Sequence, residues 1–203
     1  MTVDVAAFIV NYNMPERTDA LVEHIANDIH CHLHLYVIDN GSDIAPKSKY
    51  TNVHIVNNVQ TTNGWLTGLR EAQPINPRYY WFLITSAEFV EKCHDPLSPM
   101  LGFMDSNSDA VGIHPALTKD STTSWKHMIT KNGRAPRKTK MIDNIASLYR
   151  ADWLNSIGWF DPNLVYGWGI DLETCWKAGK QNKTLWIDER VQIKKVTDIG
   201  YTM

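Results

Sequence analysis

An α/β architecture, a mostly parallel sheet flanked by helices, follows from three features of the 203-residue sequence. Apolar runs of strand length alternate with stretches of helical periodicity. Polar turn clusters stand where those runs end. Hydrophobic residues make up 43 % of the chain, enough to fill a core between a sheet and its helical layers.

Residues 3–10 are rich in Val, Ala, Ile and Phe and read as a buried strand, closed by a turn at Asn11, Tyr12 and Asn13. Pro15, whose φ is pre-set for a helix, opens a helical segment to about residue 28, with Leu21, Val22 and Ile25 on one face. Residues 34–38 form a second strand that stops at Asp39-Asn40-Gly41-Ser42, and 53–56 form a third. A helix over 63–72 begins at a glycine-containing turn, and 79–84 is a wholly apolar fourth strand. Residues 96–104 read as a helix and 110–114 as a fifth strand. This order of strands and crossovers predicts parallel pairing, with ligands beyond the carboxyl ends of the strands. The clusters after strands one, two and four, together with 57–64, then share one rim.

Residues 115–140 break the pattern. They carry Lys119, Lys126, Lys131, Arg134, Arg137, Lys138 and Lys140 against the single acid Asp120, and read as a long basic loop. Helical character returns at 151–157 and 171–180, and 184–187 is a last short strand.

Composition excludes several classes. With 21 % charged residues, 11 Gly and 9 Pro, the chain is neither disordered nor of low complexity. Lys and Arg number 20 against 22 Asp and Glu, so no bulk basic signature of a nucleic-acid binder exists. Cys31, Cys93 and Cys175 are scattered and form neither a disulfide framework nor a zinc-spaced set, which predicts a reducing, cytoplasmic home. No run approaches the roughly 18 apolar residues of a membrane span, and the apolar run 5–10, preceded by Asp4, is too short for a signal peptide. The expectation is a soluble protein that is not exported. Among the early histidines, His32 and His34 alternate with Leu33 and Leu35 and belong on the solvated face of a strand rather than in a metal set. No P-loop, G-x-G-x-x-G, G-x-S-x-G or H-E-x-x-H motif occurs.

The order of weaker motifs is more informative. Phe8-Ile9-Val10-Asn11-Tyr12-Asn13 is followed by Val37-Ile38-Asp39-Asn40-Gly41-Ser42 and then by Asn58-Val59-Gln60-Thr61-Thr62-Asn63-Gly64-Trp65-Leu66-Thr67-Gly68. Near the end stand Gly158-Trp159-Phe160-Asp161 and Tyr166-Gly167-Trp168-Gly169-Ile170-Asp171-Leu172-Glu173. This succession resembles the family 2 glycosyltransferases of the GT-A fold, over essentially the whole chain. The resemblance implies one GT-A domain over 1–203. Residues 1–114 would bind the nucleotide sugar, and 115–203 would carry acceptor binding and catalysis.

It also implies roles residue by residue. Asn11, Tyr12, Asn13, Asp39 and Asn40 would hold the base and ribose of a UDP-sugar. The Asp39 carboxylate can accept from a uracil imide or from ribose hydroxyls, although an Asx turn before Gly41 also explains it. Asn58, Gly64 and Gly68 would let the backbone approach the donor, with plain helix entry as the alternative for Gly64 and tight helix packing for Gly68. Thr85 and Ser86 would lie at the diphosphate. Asp171 would deprotonate the acceptor hydroxyl, which inverts the anomeric centre in a single displacement, and Glu173 stands as its substitute. An N-cap role for Asp171 is compatible with both. Trp168, between two glycines, would wall the donor or acceptor pocket.

Two departures concern the divalent cation, Mn or Mg, that the family's Asp-x-Asp pair holds. The expected Asp is Ala87, which leaves Glu88 as the nearest carboxylate. The expected His near the C-terminus, in Lys194-Lys195-Val196-Thr197-Asp198-Ile199-Gly200-Tyr201, is Lys195. Lys195 or Lys194 would then supply the positive charge that a departing diphosphate needs, and weak metal binding at Glu88 is the alternative. On the acceptor side, Trp125 interleaves with Lys126, Arg134 and Arg137. That mixture suits a polyanion with stackable bases, so a hydroxymethylated base flipped out of DNA is the favoured acceptor. A glycan or small molecule is another, and a catalytically dead nucleotide- or saccharide-binding module is the remaining reading. A sugar nucleotidyltransferase would want a glycine-rich loop after strand one, which 11–17 lacks.

Overall fold

The computed structural model describes residues 3–90 and 95–196, so Cys93 and the motif residues from Thr197 to Tyr201 lie outside it. The chain runs β1 (Val5–Asn11), α1 (Pro15–Asp28), β2 (Leu33–Asn40), β3 (Val53–Ile55), α2 (Gln60–Ala72), β4 (Tyr79–Ile84), β5 (Ala87–Phe89) and α3 (Leu97–Ser106). It continues through β6 (Ala110–Leu117), β7 (Pro136–Thr139), β8 (Leu148–Arg150), α4 (Ala151–Ser156), α5 (Ile170–Lys180) and β9 (Thr184–Lys195). One sheet has the order β3-β2-β1-β4-β8-β6-β9-β5, with β7 added on β9.

The half built from β1 to β4 is parallel throughout, in the register Asn11 opposite Asp39 and Val10 opposite both Ile38 and Ile84. Antiparallel pairing enters with β5, β7 and β8, strands of three or four residues that no sequence periodicity announces. Because β8 is inserted antiparallel between β4 and β6, β6 and β9 run in the same direction as β4. The core is aromatic: Phe82 of β4 meets Phe160 at 5.0 Å, Phe8 at 5.2 Å and Trp65 of α2 at 5.5 Å between ring centroids. α2 starts at Gln60, three residues earlier than the periodicity predicts. It lies so close to the sheet that a Cβ on Gly64 would fall 2.9 Å from Val10, and one on Gly68 2.7 Å from Phe8 and Ile38. Gly64 is therefore a packing residue, not a donor contact.

The final strand is much longer than the expected 184–187. Its register slips between Pro115–Asp188 and Ala116–Gln192, a bulge that bends β9. The bend brings its last residues to β5, which leaves β4 after only two residues. Val196 N–H donates to the Ser86 carbonyl at 2.9 Å, so the end of β9 closes on the end of β4.

The basic stretch is only in part a loop, although most of its basic side chains are exposed. Its first residues complete β6, Lys126–Met128 is a 3-10 turn, and β7 pairs with β9. The segment folds around the carboxylate of Glu189, which is almost fully buried. Glu189 accepts from Thr130 Oγ1 at 2.8 Å, Lys131 N–H at 2.9 Å and Arg137 Nε at 2.5 Å. Burial pushes this carboxyl up, but the hydrogen bonds from Arg137 and Thr130 outweigh it and hold the group below its usual range. Arg137 also donates to the carbonyls of His127 and Ile129. Its guanidinium is thus an internal brace, which corrects its assignment as an acceptor-binding group.

Glu189→Gln should destabilise the fold by about 3 kcal/mol, because it leaves the Arg137 cation half-buried without its counter-charge. Urea unfolding of wild type and variant checks this, and Arg137→Lys should fall between the two because it loses the bridging geometry.

Candidate active site

A cleft of about 700 Å³ opens at the carboxyl ends of β1, β2 and β4, where parallel-sheet ligands are expected. One wall is formed by Tyr12 after β1, Asn40 at the end of β2, and Asn58, Gln60, Thr61 and Trp65 where α2 begins. Ile84, Thr85 and Ser86 lie at the floor with Asp143, Asn144 and Ile145. Trp125, Lys195 and the loop and helix start from Tyr166 to Leu172 complete it.

Buried amides build the rim. Asn11 is fully buried: its Nδ2 donates to Asp39 Oδ1 at 3.3 Å, and its Oδ1 accepts from Thr18 Oγ1 at 3.0 Å and Met14 N–H at 3.2 Å. Asn13 Oδ1 accepts from the N–H groups of Asp43, Ile44 and Ala45 at 3.1 to 3.2 Å. Asn11 and Asn13, expected at the donor, are therefore structural, because these strand-end and loop groups need partners. Asp39 is also fully buried beneath the rim; its Oδ2 lies 3.7 Å from Lys47 Nζ and has no hydrogen bond among the described residues. Asn40 faces the cleft but is tied by Nδ2 to Asn58 Oδ1 at 3.0 Å and by Oδ1 to Val59 N–H at 3.0 Å.

The opposite wall presents Trp168. Gly167 and Gly169 on either side have φ of +84° and +90°, conformations that disfavour any side chain. Thr62 anchors this loop to α2 by donating to the Leu164 and Val165 carbonyls, from Oγ1 at 2.5 Å and N–H at 3.1 Å. The Trp168 ring is 78 % exposed and lies 6.1 Å from that of Tyr166. Leu172, also at the cleft, and Trp176 of α5 are exposed as well.

Asp171 stands in the first turn of α5, in the cleft and mostly buried, with Oδ1 accepting from Leu172 N–H at 2.9 Å. Gly169, not Asp171, is the N-cap residue. Burial raises the Asp171 carboxyl above its ordinary range. Glu173 lies outside the cleft and pairs with Lys177 at 2.9 Å. The two lysines separate cleanly: Lys194 Nζ pairs with Asp120 at 2.6 Å, whereas Lys195 lines the cleft.

Glu88 does not fit the metal role. It is exposed, pairs with Arg17 at 3.3 Å and lines a different hollow beside α1. Among the described residues no three His, Cys, Asp or Glu side chains could share an ion, and Ala87 and Lys195 occupy the positions where ligands were expected. Glu88 is therefore not a ligand in the cleft, where the carboxylates are those of Asp143 and Asp171. Trp125 reaches the cleft, while Lys126 and Arg134 are exposed outside it.

Among the cleft residues that the sequence did not point to are Asp143 and Asn144, in a stretch between the basic segment and the helix at 151. Burial first, and then the charge of Asp171, push the Asp143 carboxyl up to about 6, with Lys195 opposing. An acid–amide pair just before the apolar run from Ile145 to Tyr149 was the available signal.

No protein-family model matches the sequence, and no curated protein matches it. Solved structures do. GalNAc-T7 with UDP, GalNAc and Mn2+ superposes with a TM-score of 0.75 at 10 % identity, over 98 % of this chain and 44 % of the other. The mannosyltransferase PcManGT from Pyrobaculum calidifontis, in complex with GDP-Man and Mn2+, gives 0.72 at 13 % identity, over 97 % and 58 %. TarS of S. aureus, residues 1–349 in complex with UDP, gives 0.71 at 11 % identity, over 94 % and 59 %. The chain thus has the GT-A fold and spans about half the length of the structures it matches. No helix among the described residues is long and apolar enough to cross a membrane.

Asp143 couples the site to stability. A carboxyl raised in the folded state disfavours folding once ionised: the penalty is absent below the unfolded pKa near 4 and complete above about 6. Asp143→Asn should therefore stabilise the protein by about 2 to 3 kcal/mol at pH 8 and hardly at all at pH 4. Urea unfolding at the two pH values measures the difference.

Proposed function

We propose that the chain is an inverting glycosyltransferase that moves a hexosyl or pentosyl group from a nucleoside diphosphate donor, a UDP-sugar, to an acceptor hydroxyl. The observation that carries this reading is the buried Asp171 carboxylate in a cleft at the strand ends of a GT-A sheet. The nucleotide lies along the wall of Tyr12, Asn40 and Asn58, with Asp39 behind it, and the diphosphate lies at Thr85, Ser86 and Lys195. The names of the matched structures, which carry UDP or GDP compounds, support a nucleoside diphosphate donor.

The acceptor oxygen attacks the anomeric carbon while Asp171 takes its proton. The bond from that carbon to the diphosphate oxygen breaks on the opposite face, and the anomeric configuration inverts. The negative charge arriving on the diphosphate meets the Lys195 ammonium, in the place where relatives of this fold would use a cation. Burial suits Asp171 to the task, because a raised carboxyl is a stronger base.

The acceptor enters past the exposed Tyr166 and Trp168 rings, which can stack on a saccharide ring or on a base. A glycan or small hydroxyl compound is the better-supported acceptor than DNA. Arg137 is spent on Glu189, and Lys126 and Arg134 stand away from the cleft.

Incubation with a panel of UDP- and GDP-sugars against glycan, small-molecule and DNA acceptors, read by mass spectrometry, tests the reading. Asp171→Asn should lower turnover by about 100-fold or more while leaving donor affinity unchanged. Turnover should fall as pH drops through the raised Asp171 pKa, so the acid limb should lie above the normal carboxylate range. Excess chelator should leave the rate unchanged and Lys195→Ala should lower it; a large loss on chelation would overturn the role given to Lys195.

A further inference from the structure

Two polar groups on the cleft floor have no part in the transfer step described above. Asn144 is 3 % exposed, and its Oδ1 accepts from the Tyr149 hydroxyl at 2.8 Å. Its Nδ2 is buried without a hydrogen-bond partner among the described residues, although Asn144 lines the cleft. Nε1 of Trp65, in the facing wall, is a second buried donor without a partner among the described residues. Native folds rarely leave such donors unpaired, so these two point to a ligand that brings acceptor oxygens. Beside Asn144, the Asp143 carboxylate faces Asp171 and Cys175 from α5, Tyr149 from β8 and Lys195 from β9.

The backbone that carries the pair is pinned. Ala146 N–H donates to His114 Nε2 at 3.0 Å, Ser147 Oγ donates to the Asp143 carbonyl at 2.6 Å, and Ile84 N–H donates to the Ile145 carbonyl at 3.1 Å. The wholly buried His114 ring stays neutral, its pKa pushed down to about 4 by burial, so this anchor holds through the neutral range. A carboxylate that only accepts and an amide that donates are thus presented to the cleft at fixed positions.

Resting on the transferase reading, we infer that Asp143 and Asn144 form the subsite that selects the transferred sugar, taking neutral sugars with free hydroxyls and rejecting carboxylated ones. A sugar hydroxyl both donates and accepts, so it can donate to Asp143 and accept from Asn144. A uronic acid would bring a further negative charge beside Asp143 and Asp171 in a partly dehydrated site, where like charges repel strongly. The lysine that could offset this charge is engaged by the diphosphate. Selection should therefore weaken when Asp143 is protonated, in the range below about 6.

Calorimetric binding of UDP, UDP-glucose and UDP-glucuronate, with the guanosine counterparts run alongside, tests the inference. Wild type at pH 7.5 should prefer the glucose donor to the glucuronate by about tenfold or more, a difference of about 1.4 kcal/mol. Asp143→Asn, which keeps the side chain's shape, should cut that preference to about twofold, with any change in diphosphate binding shared equally by UDP and both sugar donors. Asn144→Ala should weaken the glucose donor by about tenfold and leave UDP unchanged. At pH 5.5 the wild-type preference should narrow. Nucleotide binding with a preference that neither Asp143→Asn nor pH alters overturns the inference alone. Failure of wild type to bind either nucleotide series overturns the transferase reading, and the inference with it.

Discussion

Buried side-chain amides at the ends of two parallel strands hold the cleft open. Where β1 and β2 stop, the following backbone groups leave the sheet and still need partners. Asn11 answers for the turn into α1 and bridges to Asp39, Asn13 gathers three N–H groups of the next loop, and Asn40 ties the end of β2 to the start of α2. Had these groups been satisfied by longer strands, the rim would be a flat sheet edge. Because they are satisfied from below, the strand ends stay short and space remains above them for Tyr12, Asn58 and a ligand.

The same economy governs charge. Glu189 and Asp188 are buried in β9, each beside an arginine, at 2.5 Å from Arg137 and 2.7 Å from Arg190. This pairing folds the most basic stretch of the chain back on itself and takes Arg137 out of reach of any acceptor. In the cleft the balance is reversed: a buried carboxylate, Asp171, and a partly buried one, Asp143, share the space with Lys195. A site of that sign favours a ligand whose negative charge is confined to one end, against the lysine, with a neutral, hydroxyl-bearing remainder.

How far the sequence could be read depended on the length and polarity of each segment. β1, β4 and α1 were legible because their apolar patterns are long and uninterrupted. β5, β7 and β8 were not, since three- or four-residue strands owe their existence to the partner they meet. The last eight residues of β9, Asp-Glu-Arg-Val-Gln-Ile-Lys-Lys, read as a solvated charged run, and pairing of its acids with Arg137 and Arg190 lets it enter the sheet. Likewise Asn11, Asn13 and Gly64 were recognisable as special positions, but what they touch was not. A buried hydrogen bond and a ligand contact call for the same residue types.

Local chemistry was therefore sufficient for the α/β alternation, the position of the rim and the candidacy of Asp171 and Trp168, since strand periodicity, turn residues and flanking glycines are properties of neighbours in sequence. Three-dimensional packing alone placed Lys195 rather than Lys194 in the cleft, turned Glu88 away from it, and set Asp143 and Asn144 on its floor. Those outcomes depend on a bulge that bends β9 toward β4 and on antiparallel β8 wedged between β4 and β6. Both are pairings between distant segments, whose register is fixed by the whole sheet and not by the residues at the site.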